Sequence, residues 1–322
     1  MKMFALTLVC FAAVACTKLF SVDTVEIPKL KPRVSGLYEA EFVHQRKSYE
    51  KACAQIDATP DVLKPYSTVA SVFMNEARVT GDHPYYYPAA LNVIERGLHI
   101  DNQNSELLMQ KTSVLLSLHR FEDARKLATT LCARMPNVAT VFGMLCDANL
   151  ELGKMNEAVA AATTMMNLRP SMESYARISY IRERHADMEG SLSAMHMAVQ
   201  SGQPGTVDAA WARTTYGNLL FRAGRISDAE RQFLLARLER KNFPFALAGL
   251  AHIERSRSNS TGAIALLDSA LALMPEISFV KDEIDIERER GNTLRVSVLE
   301  KLHAQMTRED RESGSLAEAV AQ

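Results

Sequence analysis

Five small residues recur along this 322-residue chain at nearly one interval. Ala124, Ala158, Ser191, Ala229 and Ala263 are separated by 34, 33, 38 and 34 residues. Each follows a turn and sits inside an apolar pattern of helical spacing, as in "SLHRFEDARKLATTLCARMPN", "ELGKMNEAVAAATTMMNLRP" and "SRSNSTGAIALLDSALALMP". Pro136, Pro170 and Pro275 mark helix ends in the same register. Self-similarity at this period is the signature of stacked helix pairs. One pair cannot bury its apolar faces alone, so neighbours must stack, and the chain is expected to be an all-α solenoid.

Composition agrees. Hydrophobic residues make up 47% and charged residues 23%, while Gly (14) and Pro (11) are too scarce for long irregular regions. The formal net charge of −1 offers no basic excess for nucleic acid and no acidic tail.

The N-terminus has a different character. Lys2 precedes an apolar run from Met3 to Ala15, followed by Cys16. The run is too short to span a bilayer comfortably and suits the apolar region of a signal peptide. Its end, Ala13-Val14-Ala15-Cys16, resembles the lipobox of bacterial lipoproteins, with Ala13 where Leu or Val is usual. That resemblance implies cleavage before Cys16, acylation of its thiol, and a place in the bacterial cell envelope as an outer- or inner-membrane lipoprotein facing the periplasm. The alternative is an ordinary secretory signal with Cys16 incidental. The expected organisation is a signal peptide over 1–15, a lipidated Cys and extended tether over 16–36, a solenoid over 37–306 and a polar tail over 307–322. Cys53, Cys132 and Cys146 remain; an odd count allows at most one disulfide, and all three read as small buried hydrophobes.

The repeated unit resembles the tetratricopeptide repeat (TPR). In that family positions 4, 7, 8 and 11 of the first helix and 20, 24 and 27 of the second carry the packing, with Pro at 32. One unit starts at Ala139, with Phe142, Leu145, Cys146, Gly153, Ala158, Ala162, Met165 and Pro170, and departs from the pattern at Asn149. Another starts at Ala210, with Gly217, Leu220, Gly224, Ala229, Phe233 and Ala236. The resemblance implies a right-handed superhelix of about six to seven pairs. A helix over Leu37 to Ala54 is expected to precede a first pair over Pro60 to Ile100. That pair is interrupted by "TGDHPYYYPAA", with Pro88 in the first turn of its second helix. Further pairs begin near Ser105, Ala139, Met172, Ala210 and Pro244, with a weak one over Ile277 to Met306.

No catalytic motif is present: there is no HExxH, CxxC, GxSxG, phosphate-binding loop or dinucleotide fingerprint. His185 and His196 have no ligand cluster beside them in sequence. Met165, Met166, Met195 and Met197 read as packing residues rather than a metal box. No catalytic residue, cofactor, metal or small-molecule substrate is expected.

In the TPR family the first helices line a concave groove, with contacts at positions 2, 5, 9, 12 and 13. Carried over, these positions are Asp147, Tyr180, Arg184, Trp211, Asn218, Arg222, His252 and Arg255. Asn218 matches the Asn of the carboxylate-clamp repeats, but Thr214 stands where that clamp needs Lys. Tyr85, Tyr86 and Tyr87 are expected in a turn, with at least one available as a loop contact. The expectation is an exported, lipid-anchored scaffold that holds a protein or peptide in its groove, touches the membrane through its lipid and binds no nucleic acid. The alternatives are an envelope enzyme and a cytoplasmic regulator with an atypical N-terminus.

Overall fold

The structure is a computed structural model that describes residues 26–320. The expected signal peptide, Cys16 and the first part of the tether lie outside the described residues. Fifteen helices and no strand occur among the described residues, and none of these helices is long and apolar enough to cross a membrane.

A single helix, α1 (Glu39–Ala58), precedes seven antiparallel pairs. These are α2 (Leu63–Thr80) with α3 (His83–Ile100), α4 (Ser105–Ser117) with α5 (Phe121–Arg134), and α6 (Ala139–Glu151) with α7 (Met155–Leu168). Then come α8 (Met172–Arg184) with α9 (Met188–Ser201), α10 (Val207–Arg222) with α11 (Ile226–Glu239), and α12 (Pro244–Ser256) with α13 (Ser260–Leu273). The last pair is α14 (Ile277–Glu289) with α15 (Thr293–Val320).

Each of the seven turns within a pair contains one residue of positive φ, at Gly81, His119, Gly153, Ala186, Gly224, Ser258 and Gly291. Such a residue reverses the chain just past a helix end, and glycine takes it without steric cost. Five residues after the turn stand the small residues of the repeat; Ala124, Ala158, Ser191, Ala229 and Ala263 are all fully buried. In the first pair the same count reaches Tyr86, also buried, which is why this pair does not match the small-residue pattern. Asn149, the polar departure in the α6 unit, is buried nonetheless.

The α10–α12 junction shows how closely the pairs approach. Phe233 of α11 is fully buried. A methyl group added to Gly217 of α10 would meet its ring at 2.5 Å, and one added to Gly249 of α12 at 2.3 Å. The ring occupies the space that two missing side chains leave.

Three boundaries differ from expectation. The helix α3 begins at His83, so Pro84 takes the first turn, where its fixed φ and missing N–H are tolerated, and Pro88 lies inside the helix. Tyr85, Tyr86 and Tyr87 are therefore helical residues, not a turn. Residues 26–36 are non-helical, as an extended segment should be, but they dock on the first pair rather than hang free. Tyr49 Oη donates to the Pro28 carbonyl at 2.9 Å and Tyr85 Oη to the Lys29 carbonyl at 2.6 Å. The polar stretch after residue 306 continues α15 to Val320.

The superhelix also closes on itself. Helix α15 packs against α3, bringing Met306, Glu309 and Asp310 beside His83 and His119 around a cleft of about 370 Å³. Gly81 lies against Met274, with no room for a side chain between them. Arg78 of α2 pairs with Asp208 of α10 at 2.6 Å, 130 residues away. The turn edge of the first pairs thus rides on the loop edge of the last three.

Candidate functional site

The first helices of successive pairs present their polar residues to the inner face, and many of these join one helix to the next. Arg177 of α8 donates to Asp147 of α6 through Nη2 at 2.5 Å and Nε at 2.8 Å. Gly143 leaves room for that guanidinium: an added methyl would lie 3.2 Å from Arg177 Cζ. Arg222 of α10 donates to Glu183 of α8 at 2.5 Å. His252 of α12 meets Asp282 of α14 at 2.8 Å, and Arg255 meets Glu289 of the same helix. On the N-terminal side Gln110 of α4 donates to the Ser67 carbonyl and Ser71 hydroxyl of α2.

This ladder accounts for half of the groove residues derived from the TPR pattern. Asp147, Arg222, His252 and Arg255 each hold the next or preceding first helix, so their polar groups are partnered within the chain. The other four divide by exposure. Trp211 is 47% exposed and Tyr180 41% exposed, although each is flanked in sequence by buried residues. Arg184 is exposed and Asn218 half-buried.

Only Asp147 of the eight lines an inner cleft of about 610 Å³. Its walls come mainly from α2, α4, α6 and α8, with Met74 and Met144 of these helices and Met165 of α7 as apolar lining, Tyr87 of α3 at one side, and Arg78, Arg177 and the α7–α8 loop residue Arg169 among the polar groups. The sequence pattern misses Arg177 because it stands outside the contact positions of the repeat; an acid on one first helix and an Arg thirty residues later on the next was the available signal. The methionines give the cleft an adaptable apolar surface, while Arg177 and Arg78 already pair with Asp147 and Asp208.

The tyrosine triplet is not a loop contact. Tyr86 and Tyr87 are core residues, and Tyr86 packs on Phe73 with ring centroids 5.9 Å apart. Tyr85 is half-buried beneath Lys31, whose ammonium lies 3.7 Å from the ring centre. Starting the helix at His83 rotates Tyr86 and Tyr87 inward, and the docked N-terminal segment covers Tyr85.

The methionines also divide. Met165 and Met195 are buried, as packing residues should be, whereas Met197 is 41% exposed on the outer face of α9. Cys53, Cys132 and Cys146 are free thiols. Burial pushes Cys132 up to about 11 and Cys146 up to about 12, so both are protonated and unreactive at neutral pH. No group of three or more His, Cys, Asp or Glu side chains is arranged to hold a metal among the described residues.

No protein-family model and no curated protein matches the chain. Solved structures do. A chain of the APC/C hetero-tetramer Cut9-Hcn1 superposes with a TM-score of 0.64 at 15% identity, covering 85% of this chain and 52% of its own. The present chain therefore spans about half the length of that protein. A tetratricopeptide repeat protein from Parabacteroides merdae superposes at 0.53 with 14% identity, covering 84% of this chain and 99% of its own. PilW, a type IV pilus biogenesis factor, superposes at 0.52 with 15% identity over 66% of this chain and 98% of its own. The chain has the fold of a TPR α-solenoid, with seven helix pairs among the described residues.

Proposed function

We propose that the chain is a protein-interaction scaffold that holds an extended or helical segment of a partner on its inner face. The observation that carries this reading is the cleft of about 610 Å³, in which methionines, a tyrosine and three arginines converge on one surface. Farther along the inner helices Trp211 and Tyr180 stand exposed, the residue types that dominate protein interfaces. In this reading the mature chain is exported and anchored in the bacterial envelope through lipid on Cys16, and it organises a complex there without catalysing a reaction. The similarity to PilW, described as a pilus biogenesis factor, supports an envelope role.

The test is affinity capture from envelope extract with the mature chain and two variants, Trp211→Ala with Arg222→Ala, and Met144→Glu in the cleft. A specific partner lost at least about tenfold by one of them, with helical circular dichroism intact, supports the reading. The same protein set retained by all three at equal strength refutes it. Fatty-acid labelling of Cys16→Ser tests the anchor separately; equal label in mutant and wild type removes Cys16 from it.

A further inference from the structure

Beside the packing of α15 on α3, the closed superhelix has a second joint made of charged groups, and their arrangement is unusual for a permanent joint. Arg240, at the end of α11, is only 7% exposed. Its guanidinium stacks 3.6 Å over the Tyr38 ring and donates to Glu41 at 2.9 Å, 199 residues away in sequence. Glu41 also accepts from Arg33 at 3.0 Å. Arg33 makes a bidentate pair with the fully buried Glu76 of α2 at 2.6 and 2.7 Å. One carboxylate thus bridges two guanidinium groups, and the chain of contacts runs from α11 through the N-terminal segment to α2.

Several features make this joint costly to keep closed. Burying charges takes them out of water, and only near-ideal pairing offsets the loss. The pairing is incomplete: Arg240 Nε and Tyr38 Oη are both buried without a well-formed hydrogen bond. Tyr38 also holds φ at 52°, the left-handed region that non-glycine residues avoid. Apolar burial is uneven. Leu37 is fully buried, Ile27 and Leu30 pack against the core of the first pair, and Tyr49 packs on Phe73. Within α1, however, the only buried residues are Ala52 and Ile56, near its far end, so Glu41 and the start of the helix face the charged contacts. Water would satisfy the orphan groups once the joint opened.

The joint is also wired to the cleft. Glu76 anchors Arg33 from one side of α2, while Asn75 and Arg78, its near neighbours on that helix, line the cleft of about 610 Å³. Arg78 additionally crosses to Asp208, so α2 is held at the same seam twice.

We propose that residues 26–41 form a releasable clasp, and that its release at Arg240 frees the N-terminal segment and the start of α1 from the end of α11 and loosens the seam beside the inner face. This rests on the inner face being the partner site, but the clasp itself is measurable on the isolated chain. The experiment is hydrogen exchange with mass spectrometry and small-angle scattering on the mature chain, comparing wild type with Glu41→Gln, Arg240→Met and Arg240→Lys. Release predicts exchange about tenfold or more faster in residues 26–58 and at the 203–208 and 240–243 loops, with a larger radius of gyration and unchanged protection in α6 to α9. Arg240→Lys keeps charge without the flat stacking surface and falls between wild type and Arg240→Met. Loss of protection throughout the chain, or none anywhere, overturns the clasp. Stronger partner capture by Glu41→Gln than by wild type supports coupling to the cleft, and equal capture overturns that coupling. A failure of the scaffold reading looks different: no variant retains a partner, while the exchange pattern still reports the clasp.

Discussion

Replacing Gly249 by alanine tests the packing of the solenoid where the Phe233 ring is clamped between helices. The new methyl carbon would lie 2.3 Å from Cε1 of Phe233 and within 2.6 Å of two further ring atoms. Ordinary contact needs more than an ångström of additional separation. The ring cannot retreat, because it already fills the notch at Gly217, where an added carbon would meet it at 2.5 Å. Overpacking of a core costs about 1–3 kcal/mol, and a ring clamped on both sides belongs at the upper end. Against this, alanine in a helix gains about 1 kcal/mol over glycine. The expected net loss is about 2 kcal/mol. Urea unfolding followed at 222 nm should show it, together with Phe233→Leu and the double variant. A smaller side chain at 233 relieves the clash, so the alanine should cost about 1–2 kcal/mol less in that background, a coupling expected of residues in contact. A Gly249→Ala protein as stable as wild type would refute the argument. So would an equal cost in both backgrounds, because the penalty would then not come from the ring.

Acidification should loosen the closed seam in two stages. Burial of His83 lowers its pKa, against the pull of Glu276, Asp310 and Asp82 and with that of His119. Its stabilising neutral form is complete above the unfolded value of about 6.5 and is lost as pH falls through the lower folded value. Burial works to raise Glu41, but Arg240 and Arg33 outweigh it and hold the carboxylate below its ordinary range, with Tyr38 and Glu76 nearby. Its contribution is therefore complete above about pH 5 and disappears as pH falls through the depressed folded value. Exchange at α3 and α15 should quicken first and exchange at α1 second, and Glu41→Gln should abolish the pH dependence of the second stage; a single transition in both proteins would count against it. At the turns, Ala186→Gly should leave stability unchanged or raise it by up to about 1 kcal/mol, because φ of 60° strains alanine but not glycine. A loss above that size in urea unfolding would show that the methyl group makes contacts that outweigh the strain.

What the amino-acid order determined by itself was the repeating unit. Ala124, Ala158, Ser191, Ala229 and Ala263 each sit where two helices of a pair meet, and the pair starts at Ser105, Ala139, Met172 and Pro244 coincide with helix starts. These features are local: periodicity and the size of a side chain at a fixed count from a turn act within about forty residues, so one sequence carries them. Tyr86 marks the limit of that logic, because a large residue in the small-residue position hides the first pair from the pattern.

Tertiary structure alone decided what the inner face holds ready and what it has already spent. Asp147, His252 and Arg255 occupy contact positions of the repeat, yet each is paired to a charge thirty or more residues away. Such pairing depends on the angle between neighbouring first helices, which no single repeat contains. The return of α15 to α3 and of Arg240 to Glu41 depends on small rotations between pairs, accumulated over the whole solenoid until sequence-distant edges touch.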